Sequence, residues 1–224
     1  MHSAALVSCF LVILAIAQLG LAGPIARRSP SCYRGGKNVV FTQYWIPKEG
    51  QHDEDNDGNL VLLAGAATKS LKSGNKVIEK VSSTTYSKCQ MEGTCSLKDG
   101  KLVNLGSNND DFQILDRSVY PYGQGAWGDA LRPFTTVAAN DLPRGTTLFV
   151  KELKDLRLPN GKIHNGCVEV IDQGWSFNGC QLDFFVLEFA YYQKLNLPEK
   201  VSAKVQKCSI QNFSTHNEQL FMET

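Results

Sequence analysis

The sequence predicts a mainly β protein whose short strands form a closed or sandwiched architecture. Runs of β-branched and aromatic residues recur along the chain, and turns rich in glycine, proline and asparagine separate them. Helical character is confined to one short segment, residues 188–195. The cysteines point the same way, because an even set in a secreted chain indicates a fold stapled by disulfides.

The strand predictions follow this composition in chain order. The first strand, residues 39–45, is rich in β-branched and aromatic side chains and ends before Pro47. The other predicted strands are 60–66, 76–81, 101–103, 112–115, 134–139, 146–153, 162–171 and 181–189. Residues 118–133 contain several glycines and are predicted to form a loop that exposes its aromatic side chains.

The N-terminal residues predict export. Residues 4–19 form an uncharged apolar run, which is shorter than the ~20 residues that span a bilayer. We predict a signal peptide over residues 1–22, cut after Ala22. Arg27-Arg28 then either ends a pro-segment over residues 23–28 or is an incidental pair. The protein is expected to be secreted, to the extracellular space or cell wall, with no membrane contact after signal removal.

Length and charge limit the function classes. The chain of 224 residues with 42% hydrophobic residues suits one domain, predicted over residues 29–208 and followed by a tail over 209–224. The net charge of +1 argues against a nucleic-acid partner, which usually requires a basic face. We expect a monomer.

Six cysteines remain after Cys9 leaves with the signal, and six permit fifteen disulfide connectivities. Proximity favours Cys89–Cys95, and Cys167–Cys180 would join two strands across a turn. Cys32–Cys208 would then tie the two ends of the domain together. Zinc is the rival interpretation, but the cysteines lack C-x-x-C spacing and the histidines are scattered, so we expect no metal and no cofactor.

Three local signals need interpretation. Residues 53–58 imitate the start of an EF-hand loop, but Ala64 stands where a bidentate glutamate is needed, so a solvated acidic loop is predicted. His164 lies in a strand and is predicted to be structural or exposed rather than catalytic. The sequon at Asn212 predicts N-glycosylation if the tail is exposed.

The most informative stretch runs from 135 to 186. It contains a strand, the sequence Pro143-Arg144-Gly145-Thr146 and a second strand. A third strand ends in Asp172-Gln173-Gly174, and after a glycine-containing turn Asp183 opens the last strand. This order resembles the three-aspartate domain of MltA-type lytic transglycosylases and related bacterial wall proteins. Asp172 and Asp183 match the second and third aspartates, whereas Asp141 stands near a displaced first one.

That resemblance implies a six-stranded double-psi β-barrel, as in barwin proteins, expansins and family-45 endoglucanases. Strand 39–45 would open the barrel, and residues 46–133 would form an enlarged insertion. In these relatives the aspartate that opens the last strand, here Asp183, is the catalytic acid or its non-catalytic remnant. Asp172 would raise its pKa by like-charge repulsion. Trp175 takes the place of a small residue and would either stack on a sugar or block the groove.

The implied partner is cell-wall polysaccharide, such as peptidoglycan, chitin or another β-glycan. One hypothesis is a glycan-cleaving enzyme, a lytic transglycosylase or a hydrolase, with Asp183 as acid and Asp172 beside it. Trp175, Trp127, Tyr122 and Asp141 would then contact the substrate. The alternatives are a non-catalytic wall-binding or wall-loosening protein of expansin or barwin type and a secreted effector or inhibitor, because fold does not fix function.

Overall fold

The structure, a computed structural model, describes residues 29–216 and residue 218. The predicted signal peptide and pro-segment lie outside the described residues. Six strands form a closed barrel in the order β1-β12-β9-β11-β10-β13. These strands are β1 Arg34–Tyr44, β9 Thr136–Ala138, β10 Thr147–Arg157, β11 Ile163–Asp172, β12 Gln181–Phe185 and β13 Lys200–Val205. The fold-class prediction of a disulfide-stapled six-stranded barrel is therefore confirmed.

The barrel contains two parallel pairs, β1 with β12 and β9 with β11, and four antiparallel pairs. Side chains alternate between the two faces of each strand, so every second residue enters the core. The interior contains, among others, Val39, Phe41, Val137, Leu148, Val150, Val168, Val170, Leu182, Phe184, Val201 and Ala203. Burying each large aliphatic or aromatic side chain contributes roughly 1.5–3 kcal/mol, which makes this cluster the main source of stability.

The chain between β1 and β9 forms three small sheets and one helix beside the barrel. Its elements are β2 His52–Glu54, β3 Leu60–Leu62, β4 Lys69–Ser73, β5 Lys76–Val81, α1 Ser83–Glu92, β6 Thr94–Ser96, β7 Leu102–Leu105 and β8 Phe112–Ile114. A second helix, α2 Phe189–Lys194, follows β12, and a 3₁₀ turn Ser31–Tyr33 precedes β1. The short helix predicted at 188–195 is present as α2.

The elements that were not predicted are α1 and the strands β2, β4, β6 and β13. Helix α1 is capped at its start by Ser82, whose side chain accepts the Thr85 N–H, and ends at Gly93 in the left-handed conformation. The helix has only a weak amphipathic pattern, so its hydrophobic periodicity does not predict it. Its cap residues, Ser82 and Gly93, were the signal that could have predicted it. Strand β13 alternates lysines with the inward Val201 and Ala203, a readable period-two signal.

The disulfide prediction was right for Cys89–Cys95 and wrong for the other two bridges. Cys32 bonds Cys180: Cys32 precedes β1, and Cys180 directly precedes β12, the parallel neighbour of β1. Cys167 bonds Cys208, because β11 and the end of β13 both flank β10. The predicted Cys167–Cys180 bridge does not form, because Cys180 lies beside Cys32 and Cys167 lies beside Cys208.

The acidic segment 53–58 is only partly a solvated loop. Asp53 is buried, accepts the Trp45 indole N–H at 3.1 Å and pairs with Lys88 at 3.2 Å. Asp55 accepts the backbone N–H groups of Asp57 and Asn59, which folds the rest into an exposed turn. The prediction of a solvated segment was therefore wrong for Asp53.

His164 is structural, as predicted. It is fully buried on β11, stacks on Phe213, and its Nδ1 accepts the Gly166 N–H at 2.8 Å. Its Nε2 must then donate to the Phe134 carbonyl at 2.7 Å. Burial lowers the pKa of His164 to about 4, so the ring is neutral near pH 7.

Among the described residues, no helix has the length and apolar character needed to cross a membrane.

Asn212 of the sequon has an exposed side chain whose Oδ1 accepts the Ser214 N–H and hydroxyl. Glycosylation there stays a prediction.

Candidate functional site

A groove of about 870 Å³ lies between the barrel and the segment that joins β1 to β9. Strands β1, β9, β11 and β12 form one wall, and the end of α1 with β6 and β7 contributes to the other. Its lining is rich in amide groups, from Gln43, Asn56, Asn104, Asn109, Gln113, Gln124, Gln173 and Gln181. Its charged lining residues are Glu92, Asp172 and Asp183.

Strand register places the two predicted aspartates on either side of one alanine. Asp183 on β12 and Asp172 on β11 are both register partners of Ala138 on β9, and Thr42 on β1 is the next partner beyond Asp183. Strands lie about 4.8 Å apart, so the aspartate Cα atoms are about 10 Å apart. Because Ala138 has only a methyl group, the space above it between the carboxylates stays open.

Asp172 is held by three hydrogen-bond donors. Its Oδ2 accepts the Tyr44 hydroxyl at 2.9 Å, and its Oδ1 accepts the backbone N–H groups of Ala126 and Gln173, each at 2.9 Å. Burial raises the pKa of Asp172, and these donors oppose the rise. A carboxylate with both oxygens occupied is fixed in place and poorly available as a nucleophile.

Gly125 makes one of these contacts geometrically feasible. A Cβ at this position would lie 2.4 Å from the Ile171 carbonyl oxygen. Only glycine therefore lets the 124–128 turn approach β11 closely enough for the Ala126 N–H to reach Asp172.

Asp183 differs from Asp172 in its hydrogen bonding. Its Oδ1 is buried and has no hydrogen-bond partner. Burial is the main cause that raises the pKa of Asp183 to about 7; the Thr42 hydroxyl opposes the rise, and the negative charges of Glu92 and Asp172 add to it. The predicted like-charge effect of Asp172 is therefore present but small beside burial. Near neutral pH this carboxyl is close to half protonated.

Strand alternation explains how Asp183 reaches the groove. Leu182 and Phe184 are fully buried in the barrel core, whereas Asp183 between them lines the groove. This opposite orientation was predicted from the two-residue period of a strand.

A buried charged cluster supports the far wall. Lys88 on α1 pairs with Glu92 at 2.8 Å and with Asp53 at 3.2 Å, and its ammonium lies 4.3 Å from the centroid of the Trp45 ring. Trp45 directly follows β1, so this cluster connects the barrel to α1. It also fixes Glu92 at the groove, where its charge acts on Asp183.

The turn between β11 and β12 carries Trp175, whose side chain is 69% exposed and lines the groove. Asn140 holds this turn by donating to the carbonyls of Gly174 and Phe177. A Cβ at Gly174 would lie 1.9 Å from the Phe177 ring, so any larger residue there would force that ring to move. The ring stands at the groove without filling it.

The structure does not bring all the predicted site residues together. Tyr122 is buried in a core cluster with Phe185 and Leu187, and Trp127 packs against the barrel core. Neither belongs to the groove lining, so their predicted position beside the aspartates was wrong. The 118–133 loop turns these rings inward, toward apolar surface that sequence inspection cannot locate.

Asp141 is also outside the groove lining. It accepts the Tyr33 hydroxyl at 2.8 Å and the Cys180 N–H at 2.7 Å, so it anchors the end of the Trp175 turn. The predicted substrate-binding position of Asp141 is replaced by this internal contact. Burial, with the Asp141 hydrogen bond, raises the pKa of Tyr33, which keeps its hydroxyl a donor.

Four residues of the groove were not predicted as site residues: Tyr44, Thr42, Ala138 and Glu92. Tyr44 and Thr42 were inside a predicted strand, and the two-residue period that gave Asp183 its direction would also have given theirs. Glu92 lies in the unpredicted helix and comes to the groove only through tertiary packing.

Comparison with protein-family profiles and with curated proteins gives no match to this chain. Solved structures with a similar fold include a membrane-bound lytic murein transglycosylase from Agrobacterium tumefaciens, at 11% identity and TM-score 0.49, covering 75% of this chain and 73% of that one. E. coli MltA with bound chitohexaose is similar at 14% identity and TM-score 0.48, covering 75% and 71%. The lytic transglycosylase LtgG of Burkholderia pseudomallei has 16% identity and TM-score 0.38, covering 74% and 70%.

Proposed function

We propose that this protein cleaves a β-linked cell-wall polysaccharide, with Asp183 as its general acid. The observation that carries the proposal is the buried, unpartnered Oδ1 of Asp183 in an open groove, with a pKa of about 7. A carboxyl that makes no structural hydrogen bond through this atom, yet stays buried, costs stability and is typical of a functional site. Its proton is available near neutral pH, where glycoside cleavage needs one.

The chemistry then needs only one acid. Protonated Asp183 gives its proton to the glycosidic oxygen as the bond from that oxygen to the anomeric carbon breaks. The resulting Asp183 carboxylate accepts the proton of the incoming nucleophile as the new bond to the anomeric carbon forms, which restores the acid. A hydroxyl of the same sugar as nucleophile gives an anhydro-sugar, and water gives a reducing end.

Asp172 is proposed as a positioning residue. Its three donors occupy both oxygens, which disfavours attack by this carboxylate on the sugar. Its fixed negative charge contributes to the raised pKa of Asp183 and would favour positive charge that develops on the sugar ring in the transition state.

The remaining lining suits a carbohydrate. Amide side chains donate to and accept from sugar hydroxyls, and the exposed Trp175 ring offers a flat face for a sugar ring at one end of the groove. The three disulfides support the proposal that the protein is secreted into an oxidising compartment.

The test is incubation of purified protein with peptidoglycan, chitin and cellulose, with mass spectrometry of the soluble products. We expect soluble oligosaccharides from the wild type and none from Asp183→Asn, which keeps the shape of the side chain but cannot supply the proton. Trp175→Ala should weaken glycan binding while leaving the Asp183 pKa unchanged. Release of glycan by Asp183→Asn at the wild-type rate would refute the acid role.

A non-catalytic glycan-binding protein is the second candidate, favoured by the exposed Trp175 and the amide-rich lining. It predicts that the wild type sediments with polysaccharide and releases nothing. In that case Asp183→Asn would leave sedimentation unchanged, and Trp175→Ala would reduce it.

A further inference from the structure

We infer that the groove takes a glycan whose sugars carry no carboxylate, such as an N-acetylglucosamine or glucose polymer, and disfavours acidic glycans. The inference rests on the proposed function of the groove as a glycan site. Its lining contains the carboxylates Glu92, Asp172 and Asp183, and none of the described lining residues is lysine, arginine or histidine. An anionic ligand would meet like charge on both walls without a cation to pair with.

Three cations that adjoin lining residues, or pair with residues that do, already form ion pairs. Lys88 is only 4% exposed and is shared between Glu92 and Asp53, so it is not available to pair with an anionic ligand. Arg144 pairs with Asp129, and Arg132 pairs with Glu169, both away from the groove lining. These pairs leave the negative potential of Asp172, and of Asp183 when ionised, uncompensated at the groove.

Charge and hydrogen bonding therefore both favour neutral glycans over acidic ones. A sugar with a lactyl-ether carboxylate, as in muramic acid, or a uronic acid would have to lose water beside these carboxylates, where like charges raise the free energy of the complex. Neutral sugars avoid this cost, because their hydroxyl and acetamido groups can pair with exposed amide side chains of the lining such as Asn56, Asn109 and Gln173.

Binding is the direct measurement, because it separates this inference from cleavage. Asp183→Asn retains Asp172 and Glu92, and calorimetric titration would compare its affinity for N-acetylglucosamine hexamer, cellohexaose and a peptide-free strand that alternates N-acetylglucosamine with muramic acid. We expect binding of the muramic-acid strand to be at least about fivefold weaker at low salt, with the difference shrinking as salt screens the charges. Methyl esterification of the same strand should restore its affinity.

A charge-insertion pair provides the matched control. Ser176 is exposed and lines the groove beside Trp175, whereas Ser73 is exposed at the end of β4 and is not in the lining. Ser176→Lys should strengthen binding of the acidic strand about threefold to tenfold and leave cellohexaose unchanged, while Ser73→Lys should change neither.

The outcomes are distinguishable from those of the proposed cleavage. Equal or tighter binding of the unesterified acidic strand, or no effect of Ser176→Lys on it, overturns the inference while leaving cleavage intact. Selective binding of neutral glycans by a wild type that releases no product would support the inference and overturn the proposed cleavage instead.

Discussion

Asp183 should destabilise the fold when it is ionised. Asp183→Asn should therefore gain unfolding free energy relative to wild type as the pH rises. The pKa of this carboxyl is about 7 in the folded protein, against an ordinary 3.8. Because the folded pKa is raised, the contribution of Asp183 is most favourable below about pH 4 and is lost as the pH rises through 7. At about 1.4 kcal/mol per pKa unit the full loss is about 4 kcal/mol, and water in the groove reduces it to about 2–4 kcal/mol.

The assay is urea denaturation of wild type and Asp183→Asn at pH 4 and pH 8. The difference between the two proteins isolates Asp183, because the other titrating groups are common to both. We expect Asp183→Asn to gain about 2–4 kcal/mol of unfolding free energy relative to wild type between pH 4 and pH 8. A gain of this kind where activity is lost is typical of active-site residues.

Asp172→Asn is the matched control, since it is the same substitution in the same groove at a carboxylate with three donors. It should lose stability at pH 8, because an amide places an N–H group against one of those donors. If Asp183→Asn instead lost stability at pH 8 as Asp172→Asn does, Asp183 would be a structural strut, and the reasoning from its unpartnered oxygen would be refuted.

Three further predictions test the surrounding structure. Tyr44→Phe should lower the unfolding free energy at pH 8 by about 1.5–3 kcal/mol in urea denaturation, because it removes a buried donor to the Asp172 carboxylate. His164, with a folded pKa of about 4, should stay neutral from pH 5 to 8 by NMR, and its stabilising contribution of about 3 kcal/mol should be lost as the pH falls from about 6.5 to 4. Non-reducing peptide mapping should recover Cys32 linked to Cys180, and recovery of Cys32 with any other cysteine would contradict the strand order.

The two-residue hydrophobic period predicted the strands, and the resemblance of residues 135–186 to the three-aspartate domain implied that six of them close into a barrel. Leu182 and Phe184 face the core and Asp183 faces away from it, an arrangement that needs no tertiary information. The period also marks Val201 and Ala203 in β13, which was missed for lack of a flanking motif.

The rest depended on which strands become neighbours. The disulfide prediction assumed that cysteines close in sequence are close in space. This assumption is right for Cys89–Cys95, which lie in one loop, and wrong across the barrel. Cys167 and Cys180 are close in sequence, but the barrel places Cys167 beside Cys208 and Cys180 beside Cys32. Likewise, only packing decides that Glu92 faces the groove while Tyr122 turns away from it.

The distribution of hydrogen-bond donors explains why the two aspartates differ in chemistry. A tyrosine hydroxyl and two backbone N–H groups reach Asp172, from Tyr44, Ala126 and Gln173. Nothing comparable reaches Oδ1 of Asp183, although only Ala138 separates the two in the strand register. Burial raises the pKa of both carboxyls, but the donors oppose the rise at Asp172, whereas Asp183 reaches a pKa of about 7 and can carry a proton at neutral pH. If both aspartates served only to stabilise the barrel, hydrogen-bond donors would be expected at both carboxylates.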